Sequence, residues 1–285
     1  MKTFLGTGLL GSAFVKAMLE RGDQVRVWNR TTAKAEKLAS DGAEVCRDLG
    51  IAVAESDLIH ICLKDDTSVD EVLAKADTAL KEGCVIVDHT TTSVQGAKDR
   101  TRDWKTKGIT YQHAPVLMGP TNALNATGNM LISGDQDVIK NLESELSKMT
   151  GTLLNLGDVV GKAAGMKLVG NQLLMAINGG VSDSLELVKS MGFSAKDVED
   201  LYNAWDPGAV VKGSLHKILS DRFQTPSWEL VMARKDARLM MEETEKAGNK
   251  LTVVPAVAKE MDKWIEKGHG QDDWTVFVSE HVPEK

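Results

Sequence analysis

The sequence predicts an α/β fold: a Rossmann-type doubly wound sheet, then an all-α C-terminal domain, joined by a long interdomain helix. Three observations predict it. The turn Gly6-Thr7-Gly8-Leu9-Leu10-Gly11 follows a short apolar strand and opens a helix. Strand-like and helix-like runs alternate through the first half of the chain. Beyond about Lys162 no strand pattern recurs with the same clarity, and helical stretches succeed one another.

The strands expected are Thr3–Leu5, Gln24–Trp28, Glu44–Cys46, Leu58–Leu63, Cys84–Asp88, Ile109–His113, Met130–Ser133 and Leu153–Leu156. Helices are expected over Ser12–Glu20, Thr32–Ser40, Ser68–Ala76, Ser93–Lys107 and Gln136–Met149. A proline-free pattern then runs from Lys162 to Met191 and is stopped by Gly192. As one helix it would reach roughly 45 Å. Further helices are expected over Ala195–Ala204, Leu215–Ser220, Leu230–Ala247 and Pro255–Lys267. These divisions give an NADP-binding Rossmann domain over 1–160 and a helical substrate and oligomerisation domain over 161–285. Because the joining loop, Gly157 to Gly161, is short, a rigid coupling and a substrate cleft between the domains are expected.

The glycine turn carries the first chemistry. Gly6 permits the tight turn, Gly8 lets phosphates approach the backbone, and Gly11 lets the helix pack on the strand. The helix N-terminus offers free N–H groups to a pyrophosphate. Thr7, Leu9 and Leu10 complete the cofactor loop. The second strand ends in Asn29-Arg30-Thr31, about twenty residues on. An NAD site usually places an acid there to hold the ribose hydroxyls. Arg30 suits a 2′-phosphate instead, so the expected cofactor is NADP(H).

Bulk composition sets the frame. The chain has 285 residues, 34 Lys plus Arg against 41 Asp plus Glu, and a net charge of -7. That balance argues against a nucleic-acid surface. No segment reaches eighteen uninterrupted apolar residues, so no membrane span is expected. The early apolar run is broken by glycines, a serine and Lys16, and the glycine turn explains it better than a secretory signal does. Cys46, Cys62 and Cys84 sit in or beside strand-like runs and read as reduced core residues, consistent with a cytoplasmic enzyme. His60, His89, His113, His216, His269 and His281 show no metal spacing, and no metal is expected. Asp65 and Asp66, in Lys64-Asp65-Asp66-Thr67, read as a loop and helix cap rather than a catalytic pair.

Lys167 and Asn171 are four residues apart near the start of the long helix, so they share one face. A lysine there can donate a proton to a carbonyl oxygen as hydride arrives at the carbon, and an asparagine can hold that oxygen.

Taken in order, the glycine turn, Asn29-Arg30-Thr31, Asp88-His89-Thr90-Thr91, His113-Ala114-Pro115-Val116, Gly161 to Asn171 and Lys235-Asp236 resemble the β-hydroxyacid dehydrogenase family, which includes 3-hydroxyisobutyrate dehydrogenases and glyoxylate or succinic semialdehyde reductases. The likeness runs to about residue 280. It implies reversible hydride transfer, a catalytic Lys167 and a substrate-orienting Asn171. It also implies cofactor contacts from Leu63, Lys64, Thr91 and Lys235, and substrate contacts from Asp236 and from the loop Pro115, Val116, Leu117, Met118, Gly119 and Thr121. Trp228 either lines the pocket or packs a helix.

The sequence departs from the family pattern in the substrate loop. Leu117 stands where a serine usually binds a carboxylate, Met118 stands where a glycine is usual, and Gly170 replaces the first asparagine of a pair. Thr121, Asn122 or loop amides could replace the lost serine. The expected activity is therefore NADPH-dependent reduction of the carbonyl of a small aldehyde or keto acid, by a homodimer or homotetramer. Val27-Trp28-Asn29-Arg30-Thr31 with Lys34-Ala35 is also similar to NADPH-dependent imine reductases, which usually carry aspartate or tyrosine where Lys167 stands. A non-catalytic NADP-binding scaffold or sensor is the alternative from another class.

Overall fold

The computed structural model describes residues 1–283. Its first half alternates strand and helix: β1 (Lys2–Leu5), α1 (Leu9–Glu20), β2 (Val25–Trp28), α2 (Thr32–Glu36), β3 (Glu44–Val45), α3 (Leu49–Val53), β4 (Leu58–Ile61), α4 (Asp66–Ala76), β5 (Val85–Asp88), α5 (Val94–Thr106), β6 (Thr110–His113), β7 (Val116–Leu117), α6 (Pro120–Asn125), β8 (Asn129–Ile132), α7 (Gln136–Leu146) and β9 (Thr152–Asn155). Then come α8 (Lys162–Ser190), α9 (Ala195–Ala204), α10 (Val210–Leu219), α11 (Leu230–Lys246) and α12 (Val254–Glu266).

Six strands form one parallel sheet in the order β3-β2-β1-β4-β5-β6. The order reverses between β1 and β4, where a doubly wound sheet opens its ligand crevice. The short edge strand β7 runs antiparallel to β8 in a second sheet of order β7-β8-β9. The central strands bury on both faces, as parallel strands covered by helices must. Phe4, Val27 and Val87 face one core with Phe14 and Met18, while Leu5, Ile59, Ile61 and Ile86 face the other with Leu73 and Trp104.

The chain divides into two compact units, Met1–Gln172 and Leu173–Lys285. The expected boundary at 160 lies just before α8 begins, and the division falls within that helix. The C-terminal unit has its own apolar cluster, with Phe223, Leu230, Met261 and Val276. Buried Asp273 anchors it, accepting hydrogen bonds from Lys217, from the Ser227 amide (2.8 Å) and from Thr275 Oγ1 (2.7 Å). Burial alone would raise its pKa, but these donors outweigh burial and hold the carboxyl well below the usual range.

Beneath the crevice lies a run of buried histidines. His89 Nδ1 donates to the Ala114 carbonyl (2.9 Å), so its Nε2 is the acceptor for His60 Nδ1 (3.0 Å). His113 Nε2 donates to the Thr90 carbonyl (2.8 Å). These bonds fix all three rings as neutral tautomers. His60 Nε2 and His113 Nδ1 are left without partners. Burial lowers all three pKa values, His89 to about 4. An unfolded histidine titrates near 6.5. Between those pH values the unfolded chain binds protons that the folded chain refuses, so stability falls as pH falls through this window. His89 alone accounts for about 3 kcal/mol by pH 4. Thermal unfolding from pH 8 to pH 4 should show this decline. His89→Asn keeps a donor for Ala114 but cannot titrate, and it should flatten the slope. An unchanged slope would remove His89 from this account.

Candidate nucleotide and catalytic site

A cavity of about 850 Å³ opens on the N-terminal unit at the ends of β1, β2, β4 and β5. Gly6 has φ +100°, and a Cβ there would lie 2.2 Å from the Cys62 carbonyl oxygen. A Cβ on Gly11 would lie 2.0 Å from the Gly6 carbonyl oxygen. Any side chain at either position would break the turn. A Cβ on Gly8, by contrast, meets nothing within 4 Å, so the backbone there is bare toward a ligand. Gly8 caps α1 without a side-chain hydrogen bond, and the first turn carries no acid. Its N–H groups are thus available to an anion. Glycine cradle and helix end together fit a dinucleotide pyrophosphate.

Gly6, Gly8, Leu9, Leu10, Gly11, Asn29, Arg30, Thr31, Leu63, Lys64, Thr91, Val116, Met118 and Lys167 all line this one cavity. Thr7 is buried behind it, and its amide donates to Asn29 Oδ1 (3.0 Å). Asn29 in turn donates to the Thr31 carbonyl (3.0 Å), so it ties the glycine turn to the end of β2. Arg30 extends into solvent, with only a loose contact to Glu71 at 4.0 Å. Sequence reasoning left Lys34, Arg47 and Lys75 out of the site; they line the same cavity as Arg30 and add positive charge to it. The signal was available, since residues following strand C-termini border the crevice of a doubly wound sheet.

The turn Asp88-His89-Thr90-Thr91 is braced from below. Asp88 accepts from the Thr90 amide (2.8 Å) and from the Tyr111 hydroxyl (2.5 Å). Buried Arg100 donates to Tyr111, to Asp66 and to Asp70. Thr90 Oγ1 accepts from the Leu63 amide (3.0 Å), tying the Leu63 backbone to the turn that carries Thr90. Asp65 caps α4 through the Ser68 amide (2.9 Å), as its place after a strand implied. Burial pushes the Cys62 thiol up to about 12, so it stays protonated and non-nucleophilic.

Lys167 is half-buried on α8, and burial lowers its pKa from the ordinary lysine value. Its Nζ donates to Asn171 Oδ1 at 2.9 Å. Asn171, Pro115, Leu117, Gly119 and Thr121 are not among the residues that line this cavity. Trp228, Lys235 and Asp236 belong to the C-terminal unit. Lys235 and Asp236 form an ion pair at 2.8 Å, and Trp228 packs on Trp274 with ring centroids 5.5 Å apart. No group of three or more His, Cys, Asp or Glu among the described residues could hold a metal. No described helix is long and apolar enough to cross a membrane.

A glycine-cradled crevice on a 3-2-1-4-5-6 parallel sheet defines a dinucleotide-binding protein. Residues 2–157 match the NAD binding domain of 6-phosphogluconate dehydrogenase. The chain belongs to that family, in keeping with its β-hydroxyacid dehydrogenase-like motifs, and is an NAD(P)-dependent oxidoreductase. It is 23% identical over 277 residues to the uncharacterized oxidoreductase YfjR of Bacillus subtilis, covering 96% of this chain and 97% of that one. It is 26% identical over 264 residues to the cytokine-like nuclear factor N-PAC of Homo sapiens, covering 91% of this chain but only 47% of that protein. Among solved structures, an imine reductase from Myxococcus stipitatus in complex with NADP+ superposes with a TM-score of 0.92 at 23% identity, covering 98% of each chain.

Proposed function

We propose that the protein is an NADPH-dependent reductase acting on the carbonyl of a small aldehyde or keto acid, with Lys167 as the acid. The observation that carries this reading is the 2.9 Å Lys167–Asn171 pair, with Lys167 lining the same cavity as the glycine turn. When bound, the reduced nicotinamide supplies the hydride. Gly6, Gly8 and Gly11 would hold the pyrophosphate, and Arg30 would meet the 2′-phosphate, with Lys34 and Arg47 lining the same cavity. Leu63, Lys64 and Thr91, which line the same cavity, would flank the nicotinamide. Lys167 donates its proton to the carbonyl oxygen as negative charge develops there. Asn171 accepts from the ammonium, aims it, and keeps its own amide N–H groups for the substrate oxygen. Partial burial eases the proton's departure by lowering the lysine pKa. Lys235 as a cofactor residue, and Asp236, Trp228, Pro115, Gly119 and Thr121 as substrate residues, rest on the resemblance alone.

The TM-score of 0.92 favours imine reduction as a second reading. The charge on Lys167 opposes it, because an ammonium repels an iminium already bearing positive charge. The match to N-PAC, described as a nuclear factor, keeps a non-catalytic NADP-binding role as the alternative of another class. The test is loss of NADPH absorbance on a panel of glyoxylate, succinic semialdehyde, short uncharged aldehydes and cyclic imines. Turnover of a carbonyl supports the proposal. Imine turnover alone favours the second reading, and tight NADPH binding without any turnover favours the scaffold.

A homo-oligomer in the cytoplasm completes the proposal. Leu174, Met175, Ile177 and Val181 leave a run of exposed apolar surface along α8, Met175 at 73% exposure, beside Gly179 and Gly180. Such a surface is costly to leave in water. Light scattering at micromolar concentration should give a dimer or tetramer, and Met175→Glu should weaken it. A monomeric wild type would contradict it.

A further inference from the structure

Resting on the proposed carbonyl reduction, we infer that the substrate presents an uncharged, apolar group to β7, and that the Leu117–Gly170 contact sets this preference. Gly170 lies between Lys167 and Asn171 on one face of α8. A Cβ on Gly170 would lie 2.9 Å from Leu117 Cδ2 and 3.3 Å from Cδ1, so the leucine fills the room that any side chain at 170 would need. Two unusual residues, one on β7 and one on α8, thus occupy a single volume beside the catalytic lysine.

Two of the groups that could hold a carboxylate here, the Gly119 amide and Asn122, are already committed. The Gly119 amide donates to Asn122 Oδ1 (3.1 Å), and Asn122 Nδ2 donates to Thr127 Oγ1 (3.1 Å). Met118 is turned onto Gly128, where a Cβ would come within 2.3 Å of the methionine Cβ. Leu9, Leu10, Val116 and Met118 are among the aliphatic groups that line the same cavity as Lys167. The other cations lining this cavity stand on or after β2, β3 and β4 and along α4. A substrate carboxylate set against β7 would be desolvated beside aliphatic groups, with the Gly119 amide and Asn122 already taken, which disfavours it. It would also compete with the carbonyl for the Lys167 ammonium. An alkyl or aryl group packs there at no such cost.

The test compares hexanal with succinic semialdehyde at saturating NADPH, in the wild type, Leu117→Ser and Leu117→Ser/Gly170→Asn. The wild type should favour hexanal in kcat/KM by at least about ten-fold, the ratio that one misplaced polar group sets. Leu117→Ser should narrow that ratio, and the double variant should narrow it further. A wild type that prefers the semialdehyde, or a ratio unmoved in active variants, would overturn the inference. A second arm needs no turnover. In the NADPH complex, hexanamide should raise the thermal midpoint and succinate should not, whereas a larger shift with succinate would refute the apolar wall. If no carbonyl is reduced yet hexanamide still stabilises the complex selectively, the reductase reading fails while the apolar wall stands.

Discussion

Lys167→Ala is expected to lower kcat by ~10²–10³, the cost of removing one donor to a developing oxyanion, about 2.7–4 kcal/mol. NADPH affinity should be unchanged, because Lys167 stands on α8 while the proposed phosphate-binding cations follow β2 and β3. The loss should appear in kcat more than in KM, since the interaction strengthens as the oxygen gains charge. Lys167→Arg restores the charge but not the proton, because a guanidinium does not deprotonate in this range. It should recover only part of the rate. Single-turnover decay of prebound NADPH, with fluorescence titration of the cofactor, separates these effects. Wild-type rates in Lys167→Ala would remove the lysine from the chemistry.

Arg30→Ala should raise the KM for NADPH by roughly ten- to hundred-fold and leave that for NADH nearly unchanged. A charge-assisted hydrogen bond to phosphate is worth ~1.5–3 kcal/mol, and NADH lacks the phosphate that receives it. The side chain is 78% exposed, and its contact with Glu71 is only 4.0 Å, so little native structure is lost with it. Lys34 and Arg47 line the same cavity and should leave residual NADPH preference. Equal changes for the two cofactors would refute a phosphate contact by Arg30.

The strand and helix periods made the doubly wound sheet legible, because parallel strands buried on both faces read as short apolar runs between amphipathic helices. The glycine turn was legible because φ and contact distance leave no other residue at Gly6 or Gly11. What stayed hidden was short or non-local. Strand β7 has two residues and helix α6 has six, below the length at which periodicity shows. The helix α10 begins at Val210 rather than Leu215, since the intervening Gly213 masked its first turn. Lys167 and Asn171 could be paired from their spacing alone. The Leu117–Gly170 contact could not, because it joins two segments whose meeting only the packing of α8 on β7 decides. Likewise, Asn122 looked available to a ligand until its hydrogen bonds to Gly119 and Thr127 were placed.

The central claim is that a partly buried ammonium protonates the product oxygen. Its most direct test is the pH dependence of single-turnover NADPH oxidation with a reducible aldehyde. Burial places the Lys167 pKa below the ordinary 10.5. The group must be protonated to act, so the rate should hold at lower pH and fall as pH rises through that lowered value, with the falling limb absent from the residual rate of Lys167→Ala. A wild-type rate that is flat across this range, or a limb that survives in Lys167→Ala, would contradict the account.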